Sequence, residues 1–169
     1  MKRRRICIFC GLLFFILFSV QSHYVEAKKA FYAKVTKVID GDSLKVSNEK
    51  KTYEIRLYGI DAPEYDQPYA SEAKGMVKNI ALDQQVQIIP VEWDKYNRLV
   101  AIVNIGQSSV NSELLRNGLA WYYPRYCTMR VCGVWKETAK EARNKRKNIW
   151  SQKKPVAPWR WKQLKYQMK

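Results

Sequence analysis

Histidine is nearly missing from this chain. One occurs in 169 residues, His23, and it lies in the N-terminal leader described below. Beyond that leader the chain cannot run a Ser-His-Asp triad or use an imidazole general base, nor build a zinc site that needs imidazole. Cysteine is scarce as well: of four, Cys7 and Cys10 fall in the leader and Cys127 and Cys132 beyond it. Two thiolates are too few for a thiolate zinc site. Any bound metal is therefore expected to be hard and oxygen-ligated, such as calcium or magnesium. Acidic residues are few, 15 against 31 lysines and arginines, which gives a formal net charge of +16. That excess suits a polyanion, because each phosphate neutralised by a cationic side chain releases condensed counterions. No internal repeat and no low-complexity linker is seen.

The long apolar run stands at the start. Met1-Lys2-Arg3-Arg4-Arg5 precedes Ile6 to Val20, interrupted by Gly11 and Ser19. A basic start followed by a short hydrocarbon run reads as a secretory signal peptide. The run is short for a full membrane span of roughly 20 residues. Val25-Glu26-Ala27 suits a cut after Ala27; a cut after Ser22 is the second choice, and an uncleaved N-terminal anchor is the remaining alternative. Cys10 lies too early to serve as a lipoprotein attachment site. Loss of residues 1–27 removes four cations and Glu26, taking the charge from +16 to +13. Residues 28–169 are a normal size for one domain with one core. The expected location is exported: secreted, periplasmic or envelope-associated, with membrane contact only through an uncleaved leader. No obligatory protein partner is evident, and a monomer is expected.

The pattern that follows is β-rich. Ala30 to Ile39 reads as a strand, Asp40-Gly41-Asp42 as a turn, and Ser43 to Val46 as a second strand. Thr52 to Ile60 reads as a third, with Arg56 and Tyr58 on the face opposite Tyr53, Ile55, Leu57 and Gly59. Ala70 to Leu82 has helical spacing of Ala73, Val77, Ile80 and Ala81. Val86 to Trp93 and Leu99 to Ile105 read as strands joined by a hairpin turn at residues 94–98. Ser108 or Ser109 suits the cap of a helix running to Arg116 and stopped by Gly118. Trp135 to Asn148 reads as a last helix with Trp135, Ala139 and Ala142 inward. The basic tail 152–169, with Pro155, Pro158, Trp159 and Trp161, is expected to lie extended over the body. Five strands with a helix after the third point to an α+β fold built on a small OB-type barrel.

One stretch gathers unusual chemistry. Arg56-Leu57-Tyr58-Gly59-Ile60-Asp61-Ala62-Pro63-Glu64 supplies a cation mid-strand, two carboxylates and a proline that stiffens the chain between them. Arginine among apolar strand neighbours is normally paired or functional. Asp40-Gly41-Asp42 and Asp94-Lys95-Tyr96-Asn97-Arg98 add further acids and cations. Taken singly, each has a bland reading: Asp40 as a turn acceptor, Arg98 as a solvated charge, Arg56 and Glu64 as a structural ion pair.

Together these motifs resemble the thermonucleases, the staphylococcal-nuclease-like family. Val38-Ile39-Asp40-Gly41-Asp42-Ser43, the Arg56 to Glu64 stretch, Asp94 to Arg98 and Lys147-Asn148-Ile149-Trp150-Ser151 resemble that family's motifs in order and spacing, over roughly Phe31 to Ser151. The resemblance implies a five-stranded OB-type β-barrel with three α-helices, and a nuclease domain at 28–151. It implies a calcium ion held by Asp42, Asp61 and the backbone carbonyl of Ala62, which stands where the family often has threonine. Glu64 resembles the residue that positions or deprotonates the attacking water, and Arg56 and Arg98 the pair that grips the phosphate. Lys95 and Tyr96 resemble residues beside the bound nucleotide. The tyrosines expected further on do not align cleanly, since Pro124 interrupts the run, and Tyr122, Tyr123 and Tyr126 are all candidates. Ser43 and Asn97 are milder departures.

The residue types suit phosphodiester hydrolysis of DNA and RNA. A carboxylate accepts the water's proton. Paired arginine forks meet a phosphate whose charge rises in the transition state. Exposed tyrosines stack on unpaired bases, which favours single strands. The alternatives are a catalytically silent nucleic-acid-binding module of the same fold and a basic envelope-surface protein. Cys127 and Cys132, five positions apart in an exported chain, are expected to form a short-loop disulfide; two reduced, buried thiols are the other possibility.

Overall fold

The structure is a computed structural model that describes residues 29–49 and 51–167. The leader and both of its expected cut sites lie outside those residues. Eight strands and four α-helices are described. Five strands make the barrel: β1 (Phe31–Val38), β2 (Ser43–Ser47), β3 (Thr52–Leu57), β5 (Gln85–Trp93) and β6 (Leu99–Ile105). They pair antiparallel in the order β3-β2-β1-β5-β6. Closure comes from a parallel pairing of β3 with β6, which sets Ile55 opposite Leu99, Arg56 opposite Val100 and Leu57 opposite Ala101. The OB-type barrel is as expected.

Alternation along the strands fills the interior. Val35, Leu44, Val46, Ile55, Leu57, Ile88, Leu99, Ala101 and Val103 are all buried. In β1 the alternation breaks because the register shifts between Val35 and Lys37. That bulge lets Val38 re-enter the core beside Val35 and re-aims the chain into the Asp40–Asp42 turn. A second shift lies between Pro90 and Glu92 in β5, where proline's missing N–H is tolerated.

The helices pack around the barrel. Helix α1 (Ala70–Ala81) buries Ala73, Val77 and Ala81. Helix α2 (Val110–Arg116) starts at Ser109, whose side chain accepts from the Ser112 N–H in a capping box. Buried Asn111 ties α2 to the barrel: its Oδ1 accepts from Val103 N at 3.1 Å and its Nδ2 donates to the Tyr58 carbonyl at 2.9 Å. Helix α3 (Val131–Asn144) begins four residues before the expected Trp135. Residues 148–151 form a separate 3-10 turn.

The tail corrects the expectation. It is not extended: Pro158–Gln167 form α4, a fourth helix where three were expected. Pro158 stands at the first helical position, where a missing N–H costs nothing. No glycine or further proline interrupts the turns that follow. Aromatic contacts then hold the helix to the body: Trp159 packs edge-on against Trp121 and stacks on Tyr123.

Two short strands complete the site region. β4 (Ile60–Asp61) pairs with β8 (Trp121–Tyr122), with Asp61 opposite Trp121; β7 (Ser108–Ser109) extends the edge of β6. Between β3 and β4 the chain turns at Gly59, with φ +70°. Cys127 and Cys132 form the expected disulfide. The loop it closes is held by Tyr58, whose Oη accepts from Thr128 N at 2.7 Å and Met129 N at 3.1 Å. A Cβ on Gly59 would lie 2.6 Å from Cys127 Sγ and 3.2 Å from the Trp135 ring. Gly106 has a similar φ of +55° with nothing within 4 Å of such a Cβ. The pair separates backbone strain from packing. Gly106→Ala should cost about 1 kcal/mol from backbone conformation alone. Gly59→Ala should cost about 3 kcal/mol, because overpacking adds to the same strain. Urea denaturation of both variants with the disulfide intact checks this; equal losses would remove the packing argument.

Candidate active site

The site forms where two turns meet the end of β3. Gly41 makes the meeting close: a Cβ there would sit 2.7 Å from the Ala62 Cβ and 2.8 Å from the Ala73 Cβ. In the first turn Asp40 Oδ1 accepts from the Asp42 N–H at 3.0 Å, so Asp40 has the turn-acceptor role. Asp42 reaches the second turn, its Oδ2 accepting from the Ala62 N–H at 2.6 Å. Ser43 Oγ donates to Asp42 Oδ1 at 3.2 Å.

Arg56 joins the two acids. Its Nη1 lies 2.9 Å from Asp42 Oδ2 and its Nη2 2.5 Å from Asp61 Oδ1. Nη1 also donates to the Leu57 carbonyl at 3.2 Å. The bland alternative, a structural Arg56–Glu64 ion pair, is not what forms; Arg56 takes the aspartates. The three side chains are nearly enclosed, at 16% exposure for Arg56, 10% for Asp42 and 5% for Asp61. Burial pushes the Asp42 carboxyl up to about 7; Arg56 opposes this, while Asp40 and Asp61 add to it. Asp61 is raised too, first by burial, against the pull of Arg56 and Lys162. For Arg56 burial works against the charge, yet Asp42 and Asp61 outweigh it and raise its value. The acids outnumber the cation they surround.

That imbalance bears on a metal. Among the described residues no group of three or more histidine, cysteine or carboxylate side chains is arranged to hold one. A cation would rest on the two carboxylates, with the Ala62 carbonyl, water and substrate oxygens for its other positions. Such a set is all oxygen and carries surplus negative charge, which fits calcium and does not fit a thiolate or imidazole metal.

Glu64 lies on the loop after β4. Its backbone N–H donates to Gln67 Oε1 at 3.1 Å, and its Oε1 lies 2.8 Å from Lys162 Nζ on α4. Its charge reaches both Arg56 and Asp61. Lys162 was missed in the sequence. The tail shows only a basic, tryptophan-bearing composition there, with no spacing that places one lysine at Glu64. Burial works to lower the Lys162 ammonium, but the bond to Glu64 and the attraction of Asp61 outweigh it and raise its value.

Arg98 is set by its own turn. Asp94 Oδ1 accepts from the Tyr96 and Arg98 N–H groups, each at 2.9 Å, and its Oδ2 accepts from Arg98 Nε at 2.7 Å. Burial opposes the Asp94 charge, yet these bonds hold its carboxyl below the ordinary value. Arg98 is thus aimed and is no free solvated charge. Lys95 and Arg98 both lie over the Tyr96 ring, at 5.0 and 5.6 Å. Asn97 has φ +60°, a left-handed position that asparagine tolerates.

One cleft of about 390 Å³ brings Arg56, Lys95, Tyr96, Arg98, Tyr123 and Tyr126 together. Tyr122 is not among them. It lines a separate groove with Lys136, Ala139, Lys140 and Arg143. Successive side chains of extended backbone face opposite ways, so Tyr122 and Tyr123 diverge. Tyr123 packs edge-on against Tyr126 and stacks on Trp159 with centroids 4.7 Å apart. Burial, with Tyr126 and Asp61 acting in the same direction, raises the Tyr123 hydroxyl.

A basic barrel whose cleft sets two arginines beside a buried carboxylate pair has the groups to meet a phosphate. Comparison with known proteins agrees. Residues 54–152 match the family described as staphylococcal nuclease homologue, and this chain belongs to that family. An uncharacterized endonuclease of Escherichia coli O157:H7 is 34% identical over 135 residues, covering 79% of this chain and 86% of that protein. A micrococcal nuclease of Shigella flexneri is 32% identical over 147 residues, covering 82% and 84%. A staphylococcal-like nuclease of Arabidopsis thaliana is 32% identical over 115 residues, but only 35% of its own length is spanned.

The two arginines should differ in what they do for the fold. Arg56→Gln leaves two buried carboxylates facing each other and should cost about 3 kcal/mol in chelator. Arg98→Gln removes a more exposed partner and should cost about 1 kcal/mol or less. Urea midpoints of the two variants measure the difference; an Arg56 loss no larger than that at Arg98 would contradict the enclosed ion-pair account.

Proposed function

We propose that the chain is an exported, calcium-dependent nuclease that hydrolyses phosphodiester bonds of DNA and RNA without sequence preference, favouring single strands. The observation that carries this is the cleft itself, where Arg56 is fixed by Asp42 and Asp61 and opens beside Arg98 and three tyrosines. The nuclease names of the relatives support it. Export rests on the leader at residues 1–27.

Each residue has a role in this reading. Arg56 keeps N–H donors beyond those used on the aspartates and the Leu57 carbonyl, and with Arg98 it grips the scissile phosphate as charge builds there. Glu64 holds the attacking water and takes its proton. Asp42, Asp61 and the Ala62 carbonyl would hold the calcium, which when bound would supply charge neutralisation to the phosphate. Lys95 approaches the strand's phosphates, and Tyr96, Tyr123 and Tyr126 offer ring faces or edges to unpaired bases.

A zymogram with nucleic acid in the gel tests the reading directly. Clearing is expected with calcium and none with chelator; full clearing in chelator would contradict it. Glu64→Gln and Arg98→Lys should each lower the rate by about two orders of magnitude or more while staying folded. Near-normal turnover in both would place the chemistry elsewhere. Binding of an uncleavable single-stranded oligonucleotide should weaken with salt, with a log–log slope of about −0.7 for each phosphate neutralised. A flat salt response would remove the electrostatic argument.

A further inference from the structure

Helix α4 grips the loop that carries Glu64, and it does so at several independent points. Lys162 Nζ pairs with Glu64 Oε1 at 2.8 Å. Trp161 Nε1 donates to Asp66 Oδ1 at 3.1 Å, and Lys165 pairs with Asp66 Oδ2 at 2.6 Å. Gln67, 8% exposed, spans the gap behind them: its Oε1 accepts from the Glu64 N–H and its Nε2 donates to the Val156 carbonyl at 2.6 Å. Trp159 seats the helix on Tyr123 and Trp121. Backbone and side chain of Glu64 are thus both tied to the segment from Val156 to Lys165, roughly ninety residues away in sequence.

We propose that Lys162 is a positioning residue of the hydrolytic site, which fixes the Glu64 carboxylate through one oxygen and leaves the other for the attacking water. The proposal rests on the reading of Glu64 as the water's base. Its physical logic is entropic and electrostatic. A glutamate side chain on a loop has three torsions to order, and a carboxylate aimed before the substrate arrives need not be ordered in the transition state. The ammonium also attracts Asp61 and Asp42 along with Glu64, which offsets part of the repulsion between Glu64 and Asp61. The pair is not there for stability. Its side chains are 50% and 30% exposed, and pairs of that kind contribute little to folding. The stacked tryptophan and buried Gln67 hold α4 without it, so removing the Lys162 charge leaves the fold intact.

The test is a double-substitution cycle on the full chain, read as kcat and KM on a single-stranded substrate in saturating calcium. Lys162→Gln should lower kcat by about tenfold with KM nearly unchanged, and Lys162→Arg should regain most of it. In a Glu64→Gln background, assayed at high protein concentration, Lys162→Gln should cost little more, because it acts through the residue already lost. Lys165→Gln, whose ion pair is with Asp66 and not with Glu64, should leave kcat near wild type. An equal loss from Lys162→Gln in both backgrounds, with a raised KM, would make it a phosphate contact and overturn the proposal alone. A raised kcat would make α4 an inhibitory cover and overturn it. Unchanged kcat with a lower calcium requirement would make Lys162 a competitor for the cation and overturn it. Wild-type turnover by Glu64→Gln itself would sink the reading of the site, and the proposal with it.

Discussion

Everything at the site depends on the Arg56 fork. It leaves β3 one residue before the strand ends and pairs with Asp42 from the turn before β2 and with Asp61 from β4. Burial raises both carboxyls, and Arg56 is the largest influence that opposes it. The barrel supplies the rigidity: β3 is hydrogen-bonded to β2 on one side and, through the parallel closure, to β6 on the other. A guanidinium anchored this way also faces a cleft, so one side chain both braces the fold and lines that cleft.

The second constraint is charge balance over a short distance. Asp40, Asp42, Asp61 and Glu64 act on Arg56 together, in a chain whose cations outnumber its acids two to one. These acids gather around one guanidinium, with Lys162 as a second cation beside Glu64 and Asp61. In the proposed reading a polyanion is drawn to the basic chain, and the acidic centre takes a hard cation.

Much of this was legible in the sequence because it lies in local patterns. The five barrel strands, the Asp40–Asp42 turn, helix α1 and the Ser109 cap follow from periodicity and turn chemistry, though the third strand ends at Leu57, before the turn at Gly59, rather than running on to Ile60. The site residues Asp42, Arg56, Asp61 and Arg98 stand in short motifs, and the fold brought them to one region. Three things were not legible. The partner of Arg56 was hidden because an arginine in a strand shows its need for an acid, not which acid the barrel delivers. Tyr122 and Tyr123 are neighbours in an aromatic run, and only the extended backbone there sends one to the cleft and the other to a different groove. The tail's helix was missed because its two prolines read as breakers, whereas Pro158 begins the helix and Trp159 and Trp161 hold it down. Lys162 follows from that miss: a contact between residues 64 and 162 has no local signature.

Helix α4 therefore changes how the site is bounded. The barrel and its turns supply Arg56, Arg98 and the two aspartates, and the tail packs against Glu64 and Tyr123. The most direct test of the account is calcium binding itself, measured by equilibrium titration of the intact chain and of Asp61→Asn. The account predicts a single calcium per chain in the wild type, lost in Asp61→Asn with the barrel still folded. No calcium binding by the wild type, or undiminished binding by the variant, would contradict it.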